Sequence, residues 1–246
     1  MDLIFNGAVT VGAAAFRGLT GFGYALIAAI GLTGGLAPQV MVPLILINDL
    51  VLTVIILIDR KQGAVDWPVA RTLLVAGCAG AFCGGYLVGY IDESTTKLMI
   101  SGIVFIAALV AMIHEPPRWL SHRWLGIGCG FIVGGLLAAF AVGGPLVAAW
   151  LLAGGTRRET TRGTLAVFFG AVDLFSIISR ALLGQIGEGL PHLVMIYLPI
   201  TLAGYAIGHR IGPKLGPTAW RRVSAGGLLL IAIAGAIQTF RTLVQF

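Results

Sequence analysis

The sequence predicts an all-α, polytopic membrane protein. It is expected to hold two inverted repeats, each a broken, re-entrant helical hairpin followed by three transmembrane helices. Three observations predict this. Of 246 residues, 58% are hydrophobic and only 11% charged, with a mean hydropathy of +0.97, whereas a soluble domain carries about 25% charged residues. Apolar segments follow one another along the whole chain and leave nothing for a soluble domain. The basic residues between them collect on one side of a membrane when two of the segments double back.

The composition excludes a cytosolic enzyme, a secreted disulfide scaffold and a disordered regulator. Glycine numbers 36, about twice the usual ~7%. Among so many apolar residues this points to closely packed membrane helices rather than linkers. The net charge of +6 does not indicate nucleic acid, because the basic residues sit between apolar segments, where they report topology. Cys78, Cys83 and Cys129 lie in apolar runs without metal-ligand spacing and are expected to be buried small residues. Asp2 and the lack of a basic n-region argue against a cleaved signal peptide.

A helix needs about 20 apolar residues to cross the hydrocarbon core. The first segment, 3–33, is interrupted near 17–23. Crossings follow at 38–58, 67–91 and 96–113, then a polar linker, 114–123, with Pro116 and Pro117. A second interrupted segment, 124–154, breaks near 142–145, and crossings follow at 161–183, 191–212 and 223–244. The chain thus reads as one transmembrane domain, with repeat one at 1–113, the linker at 114–123 and repeat two at 124–246.

Glycines keep the same register in both halves. Gly23 and Gly144, Gly34 and Gly155, and Gly63 and Gly184 are 121 residues apart. Gly80 and Gly204, Gly84 and Gly208, and Gly102 and Gly226 are 124 apart, as are Lys97 and Arg221. Four-residue spacing recurs at Gly80/Gly84, Gly85/Gly89 and Gly204/Gly208/Gly212/Gly216. It puts small residues on one helix face and lets backbones approach.

Charge then selects the topology. With each interrupted segment entering and leaving on the same side, every half has three crossings and the repeats are inverted. Ten basic loop residues then share one side: Arg60, Lys61, Arg118, Arg123, Arg157, Arg158, Arg162, Lys214, Arg221 and Arg222. Only Lys97 and Arg241 face the other. With single crossings instead, the same twelve split 5 to 7. Basic residues favour cytoplasmic loops, so the hairpin reading is preferred and both termini are expected outside the cytoplasm. Residues 3–17 make about 21 Å of helix, past the midplane but short of a full span. Irregular backbone at that depth is tolerated only inside protein or along a wet cavity. Inverted repeats with broken helices meeting near the midplane are a common design of secondary transporters.

Four charges are expected within the membrane, away from the segment ends that face cytoplasm or linker: Arg17, Asp49, Asp173 and Arg180. Asp49 and Asp173 each lie about ten residues into a crossing, near the midplane. Intramembrane ionisable groups mark function by default, and a buried structural pair of Arg17 with an aspartate is the competing reading. Arg180, near a helix end, is expected to snorkel. The turns Thr20-Gly21-Phe22-Gly23 and Val142-Gly143-Gly144-Pro145 each precede a half-helix. A half-helix N-terminus offers free N–H groups and a positive dipole end to an anion, and glycine lets a ligand approach the backbone. Pro145 suits a first helical turn. Tightly packed turns without ligand are the alternative. The candidate binding residues are Arg17, Thr20, Gly21, Gly23, Asn48, Asp49, Gly143, Gly144, Pro145 and Asp173.

Neither turn fits a phosphate loop, since no Lys-Ser/Thr follows. His114, His122, His192 and His209 lie near segment ends, outside metal-ligand spacing. No Ser-His-Asp set can be placed at one depth, so no catalytic residue, metal or cofactor is expected. Trp67, Trp119, Trp124 and Trp220 sit at the expected cytoplasmic boundaries, as an aromatic belt would.

The run Val142-Gly143-Gly144-Pro145-Leu146-Val147, followed by Arg157-Arg158-Glu159, resembles the sulfite exporter TauE/SafE family of bacterial membrane transporters. Gly63-Ala64-Val65-Asp66-Trp67 is similar to that family's motif after the first full crossing. The resemblance spans nearly the whole chain as two halves. It implies a multi-pass protein of the bacterial inner membrane that moves sulfite, sulfonates or related small organic anions, with Gly143, Gly144 and Pro145 as the hairpin motif. Two places depart from the pattern. Gly21-Phe22-Gly23-Tyr24 lacks the glycine run and the proline, and Asn48-Asp49 stands where the family has small or hydroxyl residues.

The expected function is secondary transport of a small anion, with Arg17 and the hairpin N-termini as binding groups and Asp49 and Asp173 as proton-linked partners or gates. The expected partners are the lipid bilayer and the anion. Nucleic acid is not expected, and proton coupling and homo-oligomerisation are left open. A proton- or cation-coupled transporter in which the aspartates bind the cation is the leading alternative. An intramembrane enzyme or assembly factor is the third class.

Overall fold

The computed structural model describes residues 3–33, 35–58, 65–111, 122–154 and 158–215, and four isolated positions beyond. The last expected crossing, 223–244, and most of the basic loop residues lie outside the described residues. Within them the chain is helical and no strand occurs.

The interrupted segments are helix pairs, as expected. Helix α1 (Leu3–Thr20) gives way to α2 (Tyr24–Leu32) through Gly21 and Gly23, both in the left-handed region at φ 91° and 92°. Only glycine takes that conformation without cost. Helix α6 (Arg123–Phe140) ends where Ala141 turns left-handed at φ 56°, and α7 (Gly144–Ala153) begins with Gly144 and Pro145 in its first turn. Each pair couples 18 residues, about 27 Å of helix, to a short partner of nine or ten residues.

The other helices are α3 (Pro38–Ile58), α4 (Trp67–Val88), α5 (Glu93–Ala111), α8 (Arg158–Leu182) and α9 (Leu190–Ile211). Among the described residues, α3, α4, α6, α9 and residues Thr160–Leu182 of α8 are long and apolar enough to cross a membrane. Local chemistry fixes several starts. Asp66 caps α4 by accepting from the Val69 N–H at 3.2 Å, and its own N–H donates to Thr164 Oγ1 on α8 at 3.1 Å. That gives Asp66 of the Gly63–Trp67 run a structural role. Helix α5 begins a turn earlier than apolar periodicity indicates, because Asp92 accepts from the Thr95 N–H and hydroxyl at 2.8 and 2.7 Å. Those two bonds hold the Asp92 carboxyl below its usual range.

The halves interleave. Helix α4 lies along α6, α1 along α9, and α3 crosses α8, so the extensive contacts join one half to the other. The glycine rows make the close approaches. A Cβ on Gly80 would collide with the Phe131 carbonyl oxygen, and one on Gly84 with that of Gly135. On the other side, Gly204 meets the Val11 carbonyl and Gly208 that of Ala15. Val11 and Phe131 are 120 residues apart, as are Ala15 and Gly135, so one contact occurs twice with the halves exchanged.

Trp67 and Trp124 open α4 and α6 and are 53% and 80% exposed, as a membrane-boundary belt requires. The cysteine expectation is corrected: Cys83 is exposed and Cys78 and Cys129 only half-buried. A thiol is apolar enough to face lipid, so a position in an apolar run does not imply burial.

Candidate functional site

Helix α1 delivers Arg17 in its last turn, 2% exposed and surrounded by protein. A buried guanidinium must be paired and hydrogen-bonded to be tolerated. Arg17 Nη1 lies 3.2 Å from Asp49 Oδ1, and Nη2 donates to Thr53 Oγ1 at 2.5 Å. Asp49 and Thr53 are one helical turn apart on α3 and present one face to α1. The Arg17 Nε has no hydrogen-bond partner among the described residues.

Asp173 reaches the same point from α8. It is fully buried, and its carboxyl is close enough to Asp49 for the two to interact electrostatically. This is where α3 and α8 cross. The crossing is tight because Gly170 leaves room for the Thr53 methyl, 3.0 Å from where its Cβ would stand. Tyr24, the first residue of α2, closes the cluster with its hydroxyl 3.4 Å from Thr201 Oγ1 of α9 and within reach of Asn48. Five helices therefore converge on one buried polar cluster.

The structure brings together Arg17, Asn48, Asp49 and Asp173 of the expected site residues. The turns are elsewhere or already occupied. The Thr20 hydroxyl lies 2.8 Å from both the Phe16 and Phe22 carbonyls, one turn beyond Arg17. The Arg162 side chain lies against Gly21, and the Phe16 ring against Gly23. Gly143 faces Val133 of its own hairpin. Gly144 and Pro145 hold the first two positions of α7, and their side-chain surroundings lie outside the described residues.

The hairpin turns do not meet at one point, contrary to the midplane expectation. The first turn touches α8 at Arg162. At the second, Arg180 binds the last carbonyls of α6: its Nε and Nη2 donate to Ala138 at 2.9 and 2.6 Å, and Nη2 also donates to Ala139 at 3.0 Å. Those arginines are 18 residues apart, about 27 Å of helix axis. The long helix of each hairpin carries its turn to a different end of α8. Arg180 therefore does not snorkel. It is buried, and it satisfies carbonyls that the helix end leaves without partners.

Sequence reasoning missed Tyr24, Thr53 and Thr201. Thr53 was within reach of it, one turn after Asp49 on the same face. Tyr24 follows the turn directly. Thr201 had no such signal, because its place in the cluster depends on α9 packing against α1 and α3.

The family model described as "Sulfite exporter TauE/SafE" matches residues 7–235. Among curated proteins, a protein of Comamonas testosteroni named "Probable inner membrane transporter protein TsaS" is 27% identical over 177 residues, covering 68% of this chain and 70% of its own length. No solved structure matches.

Proposed function

The chain belongs to the sulfite exporter TauE/SafE family, and from that premise we propose that it carries a small anion (sulfite, a sulfonate or a related organic acid) outward through the Arg17–Asp49–Asp173 cluster. It is a multi-pass transporter of the bacterial inner membrane and not an enzyme.

The observation that carries the proposal is the buried guanidinium held between Asp49 and Thr53 with a second carboxyl alongside. Two neighbouring carboxyl groups buried away from water do not both stay charged. One shared proton leaves the pair at −1, which Arg17 balances. An anion entering this neutral site needs Arg17 released from Asp49, and a second proton on the pair releases it. Two charges ~6 Å apart at an effective dielectric of ~20 interact by roughly 3 kcal/mol, so binding of anion and proton is coupled. A dianion moving with one proton carries one net negative charge. A potential negative inside drives that charge outward by about 2.3 kcal/mol per 100 mV.

The inverted-repeat arrangement is part of this reading. Its support is the contact that recurs with the halves exchanged, and the engagement of the two turns by opposite ends of α8. Alternating access then follows from one repeat rocking against the other.

A second reading is favoured by the Asp173 carboxylate oxygens, neither of which has a hydrogen-bond partner among the described residues. In it the two aspartates hold a coupling cation. Transport in proteoliposomes across sulfite, sulfonates and carboxylates, with imposed proton or sodium gradients, tests both. Failure to move any of these anions overturns the first reading. Movement that follows sodium and ignores protons selects the second.

A further inference from the structure

Arg180 is engaged by only part of its guanidinium. Its Nε and Nη2 hold the Ala138 and Ala139 carbonyls. Nη1, with two donors, makes no hydrogen bond among the described residues. Arg180 lines a cavity of about 210 Å³ bounded by Gln39, Thr96, Ala139, Gln185 and Glu93, among others. That is room for a small oxyanion and several waters. Gln185 adds a side-chain amide to the lining. Glu93, the one carboxylate lining the cavity, is paired with Lys97 at 2.7 Å. The cavity is therefore polar and roomy, and its one carboxylate is already paired while the Arg180 guanidinium keeps free donors.

Its position matters. It gathers the start of α3, the end of α4, the start of α5 and the end of α8 beside the second hairpin turn. Under the inverted-repeat reading these are the ends away from the cytoplasm. Arg180 is also in line with the central cluster. It follows Asp173 by seven residues, two helical turns, so both lie on one stripe of α8 about 10 Å apart along the axis.

We propose that this cavity is a second, peripheral anion-binding station, at which Arg180 Nη1 holds a small oxyanion at the outer mouth of the transport path. The proposal rests on the anion-transport reading for its role. It rests on geometry alone for the binding site. Helix α6 supplies carbonyls that fix the guanidinium plane, so the fork is already oriented when the anion arrives.

The test uses thiol chemistry and does not require transport. Cys78, Cys83 and Cys129 are replaced by serine, and a reporter is placed by Gln39→Cys or, separately, Gln185→Cys. Each is reacted with a sulfonate-bearing methanethiosulfonate and with its trimethylammonium analogue, in sealed cells and in inside-out vesicles. The anionic reagent is expected to react about tenfold faster relative to free thiol. That is the factor for reversing a unit charge some 6 Å from a guanidinium through water. Millimolar sulfate, an oxyanion that does not react with the reagent, should slow it. Arg180→Gln should abolish the preference and Arg180→Lys retain part of it. Should the Arg180 variants fail to fold, Gln185→Glu with the Gln39→Cys reporter adds a negative charge to the cavity, leaves the carbonyl bonds intact and should also abolish the preference. Equal rates for the two reagents, or no reaction at either reporter, would overturn the proposal. An anionic preference seen only in inside-out vesicles would support the station and overturn its outer placement. The preference in a protein that moves no anion would uphold the site while the transport reading fails.

Discussion

Asp49 of α3 holds the Arg17 guanidinium at 3.2 Å and interacts electrostatically with Asp173 of α8. It is thus the shared partner of a cation and a second acid, and α3 is the helix that meets both α1 and α8 at the cluster. Breaking either contact by removing one partner leaves the other buried without compensation.

Arg17 is the first place to test that. Arg17→Lys keeps the charge but loses the planar fork that spans Asp49 and Thr53. It should weaken anion transport, and Arg17→Gln should nearly abolish it. Losing a charged partner in a buried site costs about 2–5 kcal/mol, on the order of 30- to several-thousand-fold in affinity. Anion affinity is measured in these variants and in the doubles Arg17→Gln/Asp49→Asn and Arg17→Gln/Asp173→Asn. Near wild-type affinity in either double would make Arg17 a structural counter-ion and remove its binding role.

Asp173→Asn should separate the anion from the proton. The amide keeps the size but cannot take up a proton. Anion flux in proteoliposomes should lose its response to an imposed pH gradient while exchange of anion against anion continues. An undiminished pH response would assign the coupling elsewhere.

The glycine rows make a stability prediction. Gly80→Val and Gly204→Val place a branched side chain against carbonyls of the facing helix, which cannot give way as a side-chain end can. Each should cost at least the ~1–3 kcal/mol of ordinary overpacking and lower the thermal midpoint in detergent. Gly102→Ala meets nothing within 4 Å and should leave the midpoint unchanged or raise it, since alanine favours helix. Equal effects at all three positions would show that the interfaces are looser than described.

Topology is checked with single cysteines introduced by Arg60→Cys, Arg118→Cys, Arg157→Cys and Arg221→Cys in the cysteine-free background. All four should resist a membrane-impermeant reagent in intact cells and react in inside-out vesicles, and a C-terminal tag should be accessible from outside. Strong labelling at position 118 in intact cells together with a protected C-terminus would refute the hairpin arrangement.

The sequence by itself determined which stretches are helices and where two of them break. Helix length, apolar content and left-handed glycines are local properties, so α3 begins and ends at the expected residues and the first break falls within the expected 17–23, whereas the second, expected near 142–145, lies at 141–143 and turns at Ala141 rather than at a glycine. It also singled out Arg17, Asp49, Asp173 and Arg180, because a charge in an apolar run stands out without knowledge of its neighbours. What each charge touches was decided only by tertiary structure. Arg17 and Asp49 are 32 residues apart, and Asp49 and Asp173 a further 124. Their meeting requires α1, α3 and α8 to cross at one depth, which no helical period encodes. The same holds for Arg180. Its place near a helix end is local information, but its bonds to Ala138 and Ala139 exist because α6 ends beside α8. In a membrane, where most faces of most helices are apolar, the apolar pattern carries little about which helix packs on which. Backbone proximity at glycines supplies that information, and it becomes readable only once the helices are assembled.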